Sequence, residues 1–208
     1  CKKIETGYVR QPSNDIRVLK ISPKDGAFLL SVGPEGFQEL PEKIPNLWVT
    51  APIREHERIG FAINAMFEVD AGRSRLSANV SENKVLARRL GSQLAQELDS
   101  LYSTVKYRWD ELATLLQLAP ESKPYEFWSS LWRVLMSRLP SMPSDSSTRE
   151  ISTVLLAEAL RKLVTHNEVI PPPRPSRTWL ARSAARDAAL GLLADLAHSE
   201  VAVWAIAS

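Results

Sequence analysis

Cysteine is almost absent from this chain: Cys1 is the only one among 208 residues. A single cysteine excludes a disulfide within the chain and a zinc site built from cysteines. No apolar run reaches the roughly 20 residues that a membrane-spanning helix needs, so we expect a cytoplasmic protein without a membrane partner. Neither sign of charge dominates, since 26 basic residues accompany 24 acidic ones. That balance argues against a protein that binds nucleic acid through an overall basic surface.

The remaining composition is that of an ordinary globular protein. Hydrophobic residues make up 44% of the chain and charged residues 24%, and 208 residues can bury a core in one domain or in two small ones. The sequence begins at Cys1 without an initiator methionine and closes on an apolar segment, residues 201–208. We therefore expect an excised piece of a longer protein; an acylated Cys1 is the alternative interpretation.

The first third of the chain has the pattern of β-strands. Residues 16–21 and 27–32 flank a Ser-Pro-Lys-Asp-Gly turn, which predicts a hairpin. Two further strands are predicted over residues 47–53 and 59–69, and the second places its apolar side chains on one face with a strict period of two.

The rest of the chain has the pattern of helices. Leucines at three- and four-residue steps predict a long amphipathic helix from Glu82 to Val105, with Ser81 as its N-cap. Shorter helices are predicted over residues 109–116, 127–139, 151–164 and 179–198, with residues 169–175 extended by prolines. The sequence predicts an α+β fold in two modules: a β-rich module with the long helix at residues 1–106, and a helical module at residues 107–208.

Familiar catalytic and ligand-binding motifs are missing. His56, His166 and His198 are too far apart in sequence to form a pair of metal ligands at zinc-finger or helical spacing, so no metal site is expected. There is no Gly-x-Ser-x-Gly elbow, no Walker motif and no Gly-x-Gly-x-x-Gly. We expect that this piece binds no nucleotide by itself.

The segment from residue 47 to residue 98 carries the strongest functional signal. A strand is followed by a short turn with Arg73 and Arg75, and a helix begins shortly afterwards. Arginine presents a rigid fork of donors that matches phosphate geometry, so the two side chains are candidate ligands of an anion. The alternative is that both arginines are solvated in a surface turn.

The C-terminal third is locally basic and offers a different function. Its cationic residues surround Trp179, an arrangement that can contact the phosphates and bases of a nucleic acid. They are Arg161, Lys162, Arg174, Arg177, Arg182 and Arg186. Acidic residues are interleaved with them, so a mixed, solvated surface is the alternative. The rival class of function is accordingly a non-enzymatic module that binds a protein or a nucleic acid.

The segment around Arg73 resembles a known family. The run Pro52…Gly60-Phe61-x-Ile63-Asn64-x-x-Phe67-x-Val69-Asp70-x-x-Arg73-x-x-Leu76 is similar to the region that follows the ATP-binding domain in sacsin-like proteins. These belong to the GHKL ATPase superfamily, with DNA gyrase, MutL and the ninety-kilodalton heat-shock chaperones. In the chaperones a strand, an Asn–Val/Leu–Ser–Arg–Glu motif and a long helix follow one another. Residues 79–86 look similar, but Glu82 stands where the chaperones carry an arginine.

The resemblance implies a role for this chain within a larger, chaperone-like protein. It would be the transducer segment that couples the ATP state of a preceding domain to movement of the helical module. Arg73 and Arg75 would contact the γ-phosphate, with Asn64 and Asn79 supporting the turn. ATP and Mg²⁺ would be bound by the preceding domain of the same chain, and the parent protein would be an ATPase that could act on a protein client.

Overall fold

The structure, a computed structural model, describes residues 4–9, 16–54, 59–77, 81–105, 109–116, 127, 130–131, 133–135 and 147–164. These residues form a β-sheet and several helices, which confirms the predicted α+β class. None of the helices among these residues has an apolar stretch that could span a lipid bilayer.

Within the described residues the sheet has seven strands. They are β1 (Ile4–Val9), β2 (Ile16–Ile21), β3 (Gly26–Gly33), β4 (Gly36–Gln38), β5 (Leu47–Val49), β6 (Ala51–Pro52) and β7 (Ala62–Ala65). Their order is β1-β2-β3-β7-β5-β6, and β4 pairs with β3. β7 and β4 lie along the same edge of β3, since β7 pairs with its residues 26–29 and β4 with its residues 31–33. β5 and β7 are parallel, and the other strand pairs are antiparallel.

Three continuous helices lie within the described residues. They are α1 (Ser81–Val105), α2 (Trp109–Leu116) and α3 (Ser147–Val164). Phe127, Ser130, Leu131 and residues 133–135 are also helical. The first turn of α1 contains Glu82, whose carboxylate accepts a hydrogen bond of 2.9 Å from the Ser81 hydroxyl. A hydrogen bond from the backbone amide of Glu82 is the main cause that lowers the pKa of this carboxyl group, and the bond from Ser81 adds to it.

One face of the sheet is covered by α1 and α3. Side chains alternate between the two faces of a strand, and those on this face are buried against the leucines of the helices. The cluster includes Leu19, Ile21, Phe28, Leu30 and Ile63 of the sheet with Leu90, Leu94, Leu98, Leu155, Leu160 and Leu163 of the helices. Each such side chain stabilises the fold by about 1.5–3 kcal/mol relative to an exposed one. Residues from both predicted modules thus contribute to one hydrophobic core.

α1 and α3 are in close backbone contact at Gly91. A Cβ atom at this position would lie 2.4 Å from the carbonyl oxygen of Leu155 and 3.1 Å from the amide nitrogen of Ala159. Both neighbours are backbone atoms, so a local side-chain adjustment cannot make room for it. Glycine is therefore required by the contact between the two helices, although it lowers helix propensity.

The opposite face of the sheet has a smaller apolar cluster. Val18, Leu40 and Ala62 are buried in it, and Ile44 and Trp48 pack against it while staying partly exposed. The indole N–H of Trp48 donates a hydrogen bond of 2.7 Å to the carbonyl oxygen of Pro45. The segment between β4 and β5 thus covers part of this face.

The structure confirms the hairpin of β2 and β3, whose register pairs Val18 with Ser31 and Ile21 with Phe28. It also confirms the long helix, which begins at Ser81 and ends at Val105. The predicted helix at residues 151–164 starts four residues earlier, at Ser147. β1 and β4 were not predicted.

The single strand predicted over residues 47–53 is two short strands in the structure, β5 and β6, because the chain reverses between them. Thr50 has a φ of 60°, and Val49 pairs with Ala51 on the other side of the turn. A positive φ is a genuine outlier for a β-branched residue. Pro52 is tolerated in β6 because that strand is the last in the sheet order and proline has no N–H to donate.

The predicted strand over residues 59–69 is shorter in the structure, where β7 is Ala62–Ala65. Its ladder ends where the amide of Phe67 bonds the carbonyl oxygen of Ala65 at 2.9 Å, a contact that bends the chain. The predicted alternation persists beyond the strand, since Phe61, Ile63 and Phe67 are buried. The helix predicted over residues 179–198 and the extended segment at residues 169–175 lie outside the described residues.

Candidate functional site

The two candidate arginines lie in a short hairpin that we call the arginine hairpin, residues 68–77. Val69 and Leu76 form an antiparallel bridge. The amide of Ser77 donates to the carbonyl oxygen of Glu68 at 3.0 Å, and the amide of Asp70 donates to that of Arg75 at 3.0 Å. These bonds close a tight loop over residues 70–75.

The carboxylate of Asp70 fixes the conformation of this loop. It accepts hydrogen bonds from the amide of Ser74 at 2.7 Å, from the hydroxyl of Ser74 at 2.7 Å and from the amide of Arg75 at 3.3 Å. The amide of Arg73 donates to the Asp70 carbonyl oxygen at 2.9 Å. Short polar side chains commonly organise turns by bonding to nearby backbone amides. The loop therefore carries its own polar framework.

Arg73 has an unusual backbone conformation, with a φ of 50° in the left-handed region. This conformation is unfavourable for residues other than glycine, asparagine and aspartate. The hydrogen bonds around Asp70 hold Arg73 in it. Its side chain is exposed at the tip of the loop.

The pKa of Asp70 lies below its ordinary value. The hydrogen bond from the Ser74 side chain is the largest cause, followed by the bond from the Ser74 amide, and the amide and charge of Arg75 add to them. Hydrogen bonds to the charged form of a carboxyl group favour that form. Asp70 consequently stays ionised inside a loop that carries two arginines.

The net charge of the loop over residues 70–75 favours binding of an anion. Arg73 and Arg75 contribute two positive charges and Asp70 one negative charge, so the loop carries a net charge of one positive unit. Nε of Arg75 lies 3.8 Å from Oδ2 of Asp70, and its side chain is 68% exposed, so the pairing is loose. Both guanidinium groups are open to solvent, where they can donate to phosphate or carboxylate oxygens.

The base of the arginine hairpin is anchored in the core and on α1. Phe67 and Leu76 are buried in the cluster between the sheet and the helices. Asn83, in the first turn of α1, is 1% exposed and bonds both backbone groups of Glu68. Its Oδ1 accepts from the Glu68 amide at 2.8 Å, and its Nδ2 donates to the Glu68 carbonyl oxygen at 2.9 Å.

Sequence reasoning missed the role of Asn83. The signal that could have found it is helical spacing, because Asn83 precedes Ala87, Leu90 and Leu94 on the buried stripe of α1. A polar residue on an apolar stripe needs a hydrogen-bond partner when it is buried.

The other two predicted site residues are placed differently. Asn64 belongs to β7, where its side chain is exposed on the face of the sheet opposite the helices. In register it lies between Ala27 of β3 and Trp48 of β5. Asn79 lies outside the described residues. The structure thus brings Arg73 and Arg75 into one loop, and it shows Asn64 on a sheet strand rather than in that loop.

A second polar cluster joins the turn between β2 and β3 to α1. The amide group of Gln93 donates to Oδ2 of Asp25 at 2.7 Å, and the Asp25 backbone amide donates to Oε1 of Gln93 at 3.3 Å. Nη1 of Arg89 lies 3.8 Å from the same carboxylate oxygen. This cluster fixes the position of α1 on the sheet.

The described part of the chain contains no group of three or more histidine, cysteine, aspartate or glutamate side chains that could hold a metal ion. The three histidines lie outside it. Comparisons with protein-family models, with curated proteins and with solved structures found no match for this chain. Its candidate function therefore has to be argued from the arginine hairpin itself.

Proposed function

We propose that this chain is the transducer segment that follows the ATP-binding domain of a sacsin-like, GHKL-type protein. In this proposal Arg73 and Arg75 contact the γ-phosphate of ATP held by that domain. The observation that carries the proposal is the pair of exposed guanidinium groups on a loop whose backbone is fixed by Asp70. Donors that are held in place before the charge develops stabilise a transferring phosphoryl group more effectively than mobile ones.

The chemistry of the loop indicates which step each domain performs. The arginine hairpin has cationic donors but offers no Gly-rich loop to enclose a nucleotide. We propose that the preceding domain binds ATP and Mg²⁺, and that Asn64 and Asn79 support the turn that carries the two arginines. The 208-residue chain then has negligible ATPase activity when isolated.

The coupling role rests on how the hairpin is attached. Residues of the sheet, α1 and α3 share one hydrophobic core, so they are suited to move together. We propose that residues 1–106 act as the β-rich transducer module, with α1 passing the ATP-dependent movement to the helical module at residues 107–208. The compartment proposed for this activity is the cytoplasm, and a protein client is the proposed target of the movement.

The proposal is tested by Arg73→Ala and Arg75→Ala in the full-length protein that includes the preceding domain. An arginine that contacts the transferring phosphoryl group is worth about 10³–10⁵ in kcat, so two that share the role should each lower kcat by at least about tenfold. Arg88→Ala is the matched control, because Arg88 is an exposed arginine of α1 outside the hairpin. We expect its kcat to equal that of the wild type.

Other outcomes point elsewhere. Unchanged ATP turnover in both Arg73→Ala and Arg75→Ala would refute the assignment of the arginines. A steep loss of DNA or RNA affinity with rising salt, measured on the isolated chain, would favour the rival function of a nucleic-acid-binding module. Arg73→Lys and Arg75→Lys separate a bidentate contact from a simple charge effect, since lysine keeps the charge and loses the fork.

A further inference from the structure

Asn83 forms hydrogen bonds with the backbone of the arginine hairpin, as a paired β-strand would. Its side-chain amide bonds both the N–H and the C=O of Glu68, at 2.8 Å and 2.9 Å. Asn83 itself is 1% exposed, so water has little access to its side-chain amide. A buried side chain that satisfies both backbone groups of one residue fixes that residue in two directions at once.

Glu68 is the first residue of the arginine hairpin. Its carbonyl oxygen accepts from the amide of Ser77, which closes the hairpin, and from Asn83. The carbonyl oxygen of Glu68 therefore accepts both the bond that closes the hairpin and the bond from α1. The distance in sequence from Glu68 to the tip at Arg73 is only five residues.

α1 itself is fixed at two further points. Asp25 binds Gln93 on the side of the sheet, and Gly91 touches the backbone of Leu155 in α3. Any displacement of α1 relative to the sheet therefore acts on Glu68 through Asn83. The helix and the hairpin are linked by a polar contact within one turn of the helix start.

We propose that Asn83 is the positioning residue that ties the arginine hairpin to α1 and so sets where Arg73 and Arg75 lie. The functional part of this inference rests on the proposed contact between the arginines and a nucleotide phosphate. Asn83 itself contacts no phosphate; it acts through the backbone of Glu68.

Asn46 supplies a matched control. It is also a buried asparagine, 8% exposed, and its Nδ2 donates to the carbonyl oxygens of Ile59 at 2.6 Å and Phe61 at 2.9 Å. It connects the start of β5 to the segment before β7 and has no bond to the arginine hairpin among the described residues. Asn46→Ala therefore removes a similar pair of buried hydrogen bonds elsewhere in the same core.

The first measurement is amide hydrogen exchange in the 208-residue chain. In Asn83→Ala we expect the amides of Asp70, Ser74 and Ser77 to exchange at least about tenfold faster, with the β2–β3 amides unchanged, because local opening is controlled by local contacts. In Asn46→Ala we expect the hairpin amides to keep their wild-type rates. Hairpin exchange that is unaffected by Asn83→Ala would overturn the inference.

If Asn83→Ala does not fold, Asn83→Ser is used instead, because its hydroxyl can bond one of the two Glu68 groups. We expect a smaller acceleration confined to the same amides. An acceleration spread evenly over the sheet would show a purely structural role and would also overturn the inference.

The second measurement is a double-mutant cycle on ATP turnover in the full-length protein. If Asn83 acts by placing the arginines, Asn83→Ala lowers kcat by about tenfold and has no further effect in the Arg73→Ala, Arg75→Ala background. Any effect of Asn46→Ala should instead persist in that background. Additive effects of Asn83→Ala would overturn the positioning role.

The two failures are distinguishable. If the arginine substitutions themselves leave turnover unchanged, the proposed function fails, and hydrogen exchange still decides whether Asn83 fixes the hairpin.

Discussion

The arginine hairpin and the crossing of α1 with α3 are both well-defined parts of the molecule, but different forces define them. The hairpin is polar and exposed at its tip, and a single carboxylate, that of Asp70, accepts three of its hydrogen bonds. The crossing is apolar and depends on a backbone contact at Gly91. The tip of the hairpin, residues 70–75, is organised by residues within five positions of one another, whereas Gly91 and Leu155 are 64 residues apart.

Because of this difference, we expect the helix crossing to govern the global stability of the protein and the hairpin to govern only its own local conformation. Changes at the helix crossing act on the core that the central strands share with α1 and α3, so they should alter the free energy of unfolding. Changes at the tip of the hairpin act on exposed groups, so they should alter local conformation and ligand contacts while the core remains intact.

The largest effect is expected for Gly91→Ala. Alanine favours a helix by about 1 kcal/mol over glycine, but its methyl group would sit 2.4 Å from the Leu155 carbonyl oxygen. Forcing the helices apart costs about 1–3 kcal/mol, so we expect a net loss of up to about 2 kcal/mol in the free energy of unfolding, measured by urea denaturation.

Gly72→Ala is the control for this prediction. Gly72 is exposed in the arginine hairpin, and the nearest heavy atom to a Cβ there is the hydroxyl of Ser74 at 3.8 Å. We expect a change of less than about 0.5 kcal/mol. A Gly91→Ala variant as stable as Gly72→Ala would contradict the proposed contrast between the two regions.

An intermediate effect, of opposite sign, is expected for Arg73→Gly. Glycine relieves the left-handed strain at a φ of 50°, which costs an ordinary residue about 1–2 kcal/mol, but it also increases the entropy of the unfolded chain. We expect a gain of up to about 1 kcal/mol in thermal or urea unfolding, together with loss of the guanidinium group.

Arg75→Gly provides the comparison within the same hairpin. Arg75 is not in the left-handed region, so glycine should destabilise the protein there by about 0.5–1 kcal/mol. If Arg73→Gly proves the more destabilising of the two, the left-handed conformation of Arg73 does not cost the folded protein free energy.

The smallest effect is expected for Ser74→Ala, and it concerns the pKa of Asp70. The Ser74 hydroxyl is the main reason that this pKa is lowered, so its removal should raise the pKa towards the ordinary aspartate value. NMR titration of the side-chain carboxyl carbon measures the shift. Ser77→Ala is the control, since the Ser77 hydroxyl has no bond to Asp70 in the structure, and it should leave the titration unchanged.

The sign of the pH effect follows from the same shift. Because the folded pKa of Asp70 lies below its unfolded value, the hairpin gains order from this group above the unfolded pKa and loses it as the pH falls through the folded pKa. We expect hairpin amides to exchange faster, relative to the intrinsic rate, at acidic pH in the wild type. A hairpin whose protection is the same above and below the Asp70 titration would contradict this account.

Much of the local structure could be predicted from the sequence. The β2–β3 hairpin follows from alternation on both sides of a Pro-Lys-Asp-Gly turn, and α1 follows from leucines at helical spacing. Both signals are repeated over many residues, so a few exceptions do not obscure them. The turn at Thr50 could not be predicted in this way, because a single residue with a positive φ leaves no periodic signal and threonine disfavours that conformation.

The candidate site was predictable only in part. Arg73 and Arg75 could be assigned to one turn because they are two residues apart. The hydrogen bonds between Asn83 and Glu68 could not be predicted from the sequence, because no local pattern indicates which backbone groups a buried asparagine contacts.

The sequence by itself determined the α+β class, the long helix and the presence of two arginines in one turn, because each depends on residues close together in the chain. Only the tertiary structure decided that α1 packs on α3 at Gly91, that Asn83 holds the arginine hairpin and that Asn64 lies on the far face of the sheet. These depend on which distant segments are packed together, and that choice is made by the burial of the whole core rather than by any local pattern.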